Sequence, residues 1–174
     1  VYQDLGNLNY SICTSRSPVS NLALHRGVFR KSLDCAAICL SVLGLDPAFV
    51  SINTITVHGR KIFGGAAAIR WGAVLYHGSI LVSTDLEMVW RILRREQPPK
   101  ATGLVQSIRL PVTSLQQELG REIPIGQVKK TVTDIFRRIF EASVAPGPAT
   151  EQELDITSRL AREKYDNQDW NLKM

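Results

Sequence analysis

The chain has 174 residues, 44% of them hydrophobic, which is enough for one domain with a single sizeable core. Its net charge of +5 favours an acidic partner, but it contains no RNA-recognition, zinc-finger or helix-turn-helix pattern, so we do not expect it to bind nucleic acid. No apolar run approaches the roughly 18 residues that a membrane-spanning helix needs, so we do not expect a membrane partner either.

The first part of the chain predicts strands followed by a long helix. Residues 1–4 and 9–14 are rich in β-favouring residues and flank a turn at Gly6, so we expect two short strands there. From about residue 20 to Leu43, apolar residues recur every three or four positions, and Gly44 supplies a stop signal. This pattern predicts a helix that packs on the core.

The middle of the chain is β-rich and then helical. Three runs predict neighbouring antiparallel strands, because only short turns separate them. They cover residues 49–57, 61–71 and 73–82. Thr84 and Glu87 have the spacing of a capping box, so we expect a helix from Asp85 to shortly before Pro98. Residues 100–111 carry little periodicity and predict a loop.

The last part of the chain is predicted to be mainly helical. A brief helix at 113–119 precedes a longer one at 125–142, which has an apolar face and a basic face. Thr150 and Glu153 repeat the capping-box spacing ahead of a final helix that ends near Tyr165. Together these elements predict an α+β fold, mainly an antiparallel sheet with packed helices.

The segment around Lys61 carries the strongest chemical signal. Lys61 stands at a strand start and is followed by Gly64-Gly65 and three alanines. A strand without side-chain bulk usually marks a place where a ligand or another backbone approaches closely. A lysine ammonium suits a carboxylate and a phosphate together and stabilises charge that develops between them. A β-bulge beside a solvated lysine is the alternative interpretation of the same residues.

Four sequence blocks extend this signal along the chain. They are residues 1–11, 59–66, 77–81 and 107–115. In order and spacing they resemble lipoate–protein ligases of the biotin/lipoyl protein ligase superfamily, including the bipartite ligases of archaea. The resemblance implies a class II synthetase-like α+β catalytic domain.

The resemblance also sets the expected domain limits. We assign residues 1–144 to a partial catalytic domain and residues 145–174 to a C-terminal helix and tail of the same domain. The family's arginine pair and glycine-rich phosphate loop would precede Val1, and such loops cradle phosphates. We therefore expect this chain alone to have little or no ligase activity.

The resemblance implies a two-step reaction. ATP would activate lipoate to lipoyl-AMP, and the acyl group would pass to a lysine of a carrier domain. The expected carriers are lipoyl domains of 2-oxoacid dehydrogenase E2 subunits or the glycine cleavage H protein. Mg²⁺ would accompany ATP, and a separate accessory ligase subunit is a further expected partner.

The same resemblance assigns residues to the acyl site. Lys61 matches the lysine that contacts the lipoyl carbonyl and the phosphate. Gly64, Gly65 and Ala66 would line the lipoate channel, and His77 matches a position beside the lipoyl-binding strand. A packed, hydrogen-bonded histidine is the structural alternative for His77.

Four more residues match nucleotide-binding and metal positions. Asn53, Asp4 and Asn7 would lie near the nucleotide, although turn and strand-end roles are alternatives for all three. Thr54 stands where the family carries an aspartate that binds magnesium, and a threonine is a weaker ligand than a carboxylate.

Two other functions remain open. An octanoyl or lipoyl transferase acting without ATP needs a cysteine nucleophile, and residues 49–60, where such transferases carry theirs, contain none. A non-catalytic lipoyl-binding homologue would fit Thr54 and the absent phosphate loop. The three cysteines offer neither a disulfide framework nor zinc spacing, so we expect a reducing, cytoplasmic location.

Overall fold

The computed structural model describes residues 2–15, 22–93 and 110–172. Its strands are β1 (Asn7–Ser15), β2 (Ala48–Ser51), β3 (Thr54–Val57), β4 (Arg60–Arg70) and β5 (Ala73–Leu81). Its helices are α1 (Leu22–Val42), α2 (Leu86–Leu93), α3 (Leu115–Leu119), α4 (Ile125–Phe140), α5 (Glu151–Leu160) and α6 (Gln168–Asn171), with a wider π-helical turn at Ala161–Tyr165. None of the helices in these ranges is both long and apolar enough to cross a bilayer.

The five strands form one sheet in the order β1-β5-β4-β3-β2, and every neighbouring pair is antiparallel. The predicted α+β fold with an antiparallel sheet is therefore confirmed. The predicted single strand at 49–57 is wrong, because the chain reverses at Ile52-Asn53 and β2 pairs with β3. No glycine or proline marks that reversal in the sequence.

The turn before β1 replaces the first predicted strand. Asp4 accepts a hydrogen bond from the Gly6 N–H at 2.9 Å, and Asn7 Oδ1 accepts one from the Asp4 N–H at 3.0 Å. These side-chain bonds satisfy the backbone locally, which favours a turn over an extended strand. Residues 2–4 accordingly pair with none of the five described strands.

The core lies on one face of the sheet, under α1 and α4. Phe63 on β4 and Tyr76 on β5 are buried there with Leu40 of α1 and Ile135 of α4. Each such side chain stabilises the fold by about 1.5–3 kcal/mol relative to an exposed one. Burial also raises the pKa of Tyr76 to about 12. The packing on this face fixes β4 and β5 against the two helices.

The start of α2 corrects the predicted capping box. Asp85, not Thr84, caps the helix, since Asp85 Oδ1 accepts from the Met88 N–H at 2.9 Å. Thr84 instead turns its hydroxyl inward, toward Gly6 O and Asn7 Oδ1, each at 3.4 Å. The rest of the predicted helix beyond Leu93, and most of the predicted loop at 100–111, lie outside the described residues.

Residues 143–174 form a separate compact unit. The predicted capping box at Thr150 and Glu153 is present at the start of α5. Farther along, the Lys164 ammonium lies 4.1 Å from the centre of the Trp170 ring, a cation–π contact. The assignment of residues 145–174 to the same domain as 1–144 stays a prediction.

Candidate active site

The backbone of Lys61 is fixed from one side by residues 111–113. The Lys61 N–H donates to Pro111 O at 2.7 Å, and the Thr113 N–H donates to Lys61 O at 2.9 Å, around a parallel bridge to Val112. β3 pairs with Lys61 on the other side, through Thr56. The lysine at the start of β4 is therefore held by hydrogen bonds along both edges of the strand.

The Lys61 side chain lies along β4, above Gly64. A Cβ added at Gly64 would be 3.1 Å from Lys61 Cε and 3.2 Å from Nζ, so a side chain there would push the lysine aside by a few tenths of an ångström. Burial lowers the pKa of Lys61. No carboxylate pairs with it among the described residues. A partly desolvated cation without a protein counter-ion is a good site for an anionic ligand.

Gly65 faces the core rather than the ligand side. A Cβ there would lie 2.5 Å from the Tyr76 hydroxyl, and the Gly65 N–H already donates to Asn53 O at 2.8 Å. Gly65 therefore joins β4 to the β2–β3 turn and leaves room for a buried tyrosine. Its backbone N–H is committed within the protein.

The other face of β4 carries a strip of small residues, Gly64, Ala66 and Ala68, which we call the small-residue strip. Side chains alternate between the faces of a strand, so this strip points away from buried Phe63. The register places Ala66 opposite His77 of β5, and both side chains are exposed. The strip begins beside Lys61 and offers an elongated, shallow surface.

His77 borders this strip. β1 places Ser11 on its other side, so the imidazole stands in a row of side chains on the outer face of the sheet. The structure places it beside Ala66, as predicted, and shows no hydrogen bond to the ring among the described residues. The predicted alternative of a packed, hydrogen-bonded histidine does not match this exposed position.

Asn53 occupies the β2–β3 turn. Its Oδ1 accepts from Ser51 Oγ at 2.7 Å and from Thr54 Oγ1 at 3.2 Å, which leaves the Nδ2 donor without a partner among the described residues. Thr54 is 1% exposed. Since its hydroxyl is buried and directed at Asn53, Thr54 does not fit a magnesium ligand. Residues 2–15, 22–93 and 110–172 also contain no group of three or more His, Cys, Asp or Glu side chains placed to hold a metal ion.

Asp4 and Asn7 hold the front of the sheet together. Asp4 Oδ2 accepts from the Asp85 N–H at 2.8 Å, which joins the N-terminal turn to the start of α2. Asn7 Nδ2 donates to Ser79 Oγ at 3.4 Å, and Ser79 lies opposite Gly64. Both side chains are used in internal bonds, so their predicted contact with a nucleotide stays a prediction.

A buried carboxylate beside the Lys61 segment was not foreseen from the sequence. Glu118 of α3 accepts hydrogen bonds from His58 Nδ1 and Arg60, each at 2.9 Å, while its own side chain is 1% exposed. The sequence carries no signal for this cluster, because its members lie 58 and 60 positions apart and have the types expected of solvated surface residues.

Cys35 and Cys39 are buried, and exposed Cys13 lies far along the sheet from Lys61. Burial raises the pKa of Cys35 to about 11 and that of Cys39 to about 12. Cys13 is exposed and lies opposite Leu75, which pairs with Ala68. Ala68 is seven residues beyond Lys61, or about 23 Å along the strand.

Residues 1–137, which include Lys61 and the small-residue strip, match the family model of the lipoyl protein ligase A/B catalytic domain. The chain belongs to this family of enzymes. It is 26% identical to lipoate-protein ligase A subunit 1 of Thermoplasma acidophilum, over 99% of this chain and 67% of that protein. It is 31% identical to octanoyltransferase LipM of Symbiobacterium thermophilum, over 71% of this chain and 45% of that protein, so it spans less than half of that relative's length.

Solved structures agree with this assignment. A bi-partite lipoate protein ligase from T. acidophilum, studied with its E2 lipoyl domain, is 27% identical with a TM-score of 0.74, over 98% of this chain and 66% of that one. A lipoate-protein ligase A bound with ATP has the same fold at 24% identity and a TM-score of 0.74, over 98% and 67%. A biotin protein ligase from Aquifex aeolicus shares the fold at 16% identity and a TM-score of 0.53, over 78% and 53%. The predicted family and fold are both confirmed.

Proposed function

We propose that the full protein activates lipoate with ATP and transfers the lipoyl group to a lysine of a carrier domain. The observation that carries this proposal is the Lys61 ammonium, half-buried over Gly64 at the head of the small-residue strip and without a carboxylate partner among the described residues. A transferase that starts from an acyl thioester could use such a lysine for its oxyanion, but it has no phosphate to neutralise. An ATP-dependent ligase does.

In the first step the lipoate carboxylate attacks the α-phosphorus of ATP, an O–P bond forms, and pyrophosphate leaves. Two anions must approach each other, and Lys61 supplies positive charge between them. The acyl chain would extend along the small-residue strip, past Ala66 and His77. Asn53 Nδ2, which has no partner among the described residues, would donate at the phosphate end, while Asp4 and Asn7 would border the nucleotide through the turn that they stabilise.

In the second step the neutral ε-amine of the carrier lysine attacks the mixed-anhydride carbonyl. The C–O bond to AMP breaks, and the amine loses a proton as the amide forms. Lys61 would stabilise the oxyanion of the tetrahedral intermediate. Mg²⁺ is the expected companion of ATP in this family, but Thr54 does not fit its binding, and we assign the metal no step.

The partners follow from the relatives. The T. acidophilum system pairs a bi-partite ligase with an E2 lipoyl domain. We propose E2 lipoyl domains as the carriers here, with the glycine cleavage H protein as a second carrier and a separate accessory ligase subunit as a partner. A cytoplasmic location suits these substrates and the reduced cysteines.

The second candidate is an octanoyltransferase, favoured by the likeness to LipM. That chemistry needs a reactive thiolate close to the acyl carbonyl. The raised pKa values of Cys35 and Cys39 keep them protonated at neutral pH. Cys13 is about 23 Å along the sheet from Lys61. The raised pKa values of Cys35 and Cys39 and the distant position of Cys13 therefore support the ligase over the transferase.

The test is acylation of an apo lipoyl domain by the full-length protein, followed by mass spectrometry. The ligase predicts a gain of one lipoyl group that requires lipoate and ATP together. Transfer from an octanoyl carrier protein without ATP would establish the transferase instead. If neither assay gives a mass gain, with or without an accessory subunit, the non-catalytic homologue is the correct interpretation.

A further inference from the structure

The Glu118 carboxylate belongs to the same segment that holds the Lys61 backbone. We call residues 111–118 the clamp segment. It bonds to β4 at Lys61 through Pro111 and Thr113, and the Gln116 N–H donates to Val82 O just beyond β5 at 2.9 Å. Glu118 adds a side-chain attachment to the residues immediately before Lys61. The clamp segment is thus attached to the start of β4 by backbone hydrogen bonds and by the Glu118 carboxylate.

The contacts of Glu118 are directed at the β3–β4 turn. Arg60 lies 2.8 Å from Oε1 and donates to Oε2 at 2.9 Å, while His58 Nδ1 lies 2.9 Å from Oε2. His58 and Gly59 both have positive φ angles, 50° and 73°. A turn with two left-handed residues is a specific conformation. The Glu118 carboxylate holds the side chain of His58 within this turn and that of Arg60, which directly follows it.

The electrostatic balance favours the ionised form of the Glu118 carboxyl. Burial alone would raise the pKa of the Glu118 carboxyl, but hydrogen bonds from Thr113 and His58 and the charge of Arg60 outweigh it, so the pKa lies below its usual range. A buried carboxylate that loses its cation is costly. The ion pair with Arg60 therefore ties the start of β4 to α3 at the residue directly before Lys61.

We propose that Glu118 is a positioning residue for Lys61, acting through Arg60. This inference rests on the proposed function only for its activity readout. Lys61 itself has no side-chain partner among the described residues, so its ammonium is placed by the strand alone. Glu118 fixes that strand where it leaves the turn. Its role is to keep Nζ above Gly64, ready for an anionic ligand.

The test compares Glu118→Gln with Glu122→Gln in the full-length protein. Glu122 follows four residues later and is exposed, so it provides a matched control. We expect Glu118→Gln to lower kcat for lipoyl-AMP formation about tenfold with little change in KM for ATP, because a misplaced catalytic group costs rate rather than binding. Glu122→Gln should match the wild type in both.

A second readout does not depend on activity. The Lys61 amine is followed by NMR of ¹³C-labelled lysine, with its signal assigned from Lys61→Arg. We expect Glu118→Gln to shift the Lys61 titration toward that of an exposed lysine, and Arg60→Met to do the same. Arg60→Met carries the test if Glu118→Gln does not fold.

The outcomes separate the two proposals. If the full-length wild-type protein has no ligase activity but Glu118→Gln still shifts the Lys61 titration, the positioning role is supported and the proposed function is wrong. A folded Glu118→Gln protein with wild-type kcat and an unmoved Lys61 titration overturns the positioning role. Retained ligase activity in that variant would leave the proposed function intact.

Discussion

The two halves of β4 differ in almost every physical respect. From Arg60 to Gly65 the strand is bonded on both edges and its side chains are buried or half-buried. From Ala66 to Arg70 it is exposed and pairs only with β5. One half fixes a charged group, and the other presents a smooth surface. This division suits a ligand with an anionic head and an apolar chain, since only the reacting end needs exact placement.

The largest effect should come from removing the charge at the fixed end. Lys61→Met keeps the stem but not the ammonium, and we expect lipoyl-AMP formation to fall by about 10²–10³-fold because an electrostatic stabiliser is lost. Pyrophosphate release by the full-length protein measures it. Lys129→Met, on the exposed face of α4, is the control and should leave the rate unchanged. Equal rates of pyrophosphate release in the two variants would show that the Lys61 ammonium does not contribute to the reaction.

A smaller effect should follow from filling the core side of the fixed half. Gly65→Ala places a Cβ 2.5 Å from the Tyr76 hydroxyl, which must move within a closed core. Overpacking of this kind costs about 1–3 kcal/mol of unfolding free energy. Urea unfolding tests it against Gly126→Ala, where a Cβ meets nothing within 4 Å. Equal urea midpoints for the two variants would mean that the Tyr76 side chain moves aside without cost.

Substitutions in the exposed half of β4, from Ala66 to Arg70, should change the affinity for substrate rather than the stability of the fold. Ala66→Leu adds bulk on the small-residue strip, and we expect KM for lipoate to rise about tenfold, equivalent to about 1.4 kcal/mol of lost binding. Ala67→Leu, also exposed but on the opposite face, is the matched control. Initial rates against lipoate concentration distinguish them. A similar KM for both variants would place the acyl chain elsewhere.

The smallest effect is expected at the far end of the same hairpin. Trp71 has φ of 51° and precedes Gly72 with φ of 72°, a turn that favours Asn-Gly. Trp71→Asn should raise the unfolding free energy by about 0.5–1 kcal/mol, because the left-handed conformation costs asparagine less. Thermal unfolding measures the gain, and Trp90→Asn on α2 serves as the control without a positive φ. A lower Tm in Trp71→Asn would show that the tryptophan makes a stabilising contact.

Periodicity was sufficient for the elements that pack on the core. The spacing of apolar residues located α1 and α4, and alternating β-rich runs located β4 and β5 within a few residues. It failed where side chains set the local structure. Asp4 and Asn7 form a turn in a segment of β-favouring residues, and Asp85 rather than Thr84 caps α2. In each case a hydrogen bond to a specific backbone atom decided the outcome, and composition does not encode it.

The residues of the candidate site also differ in whether the sequence could predict them. The Lys61-Gly64 pair could be found from the sequence, because a cation followed by residues without side chains is a local pattern. Glu118 could not, since its contacts with His58 and Arg60 exist only after β4 and α3 have met. Thr54 was doubtful as a metal ligand from its type, and its burial supplies the physical reason. The roles assigned to Asn53, His77, Gly64, Gly65 and Ala66 stay predictions until ligand binding is measured.

The pairing of β4 with β5 also limits how this hairpin can change during evolution. Ala66 faces His77 on one side of the sheet, while Gly65 faces Gly78 on the other. Inserting a single residue within either strand without a β-bulge to absorb it would exchange the two faces, turning His77 toward the core and Tyr76 toward solvent. We therefore expect length changes to be tolerated at the Trp71-Gly72 turn, in steps that preserve the alternation. A variant could have a longer hairpin at this turn. A variant with an uncompensated register shift would lose both the core packing of Tyr76 and the exposed position of His77.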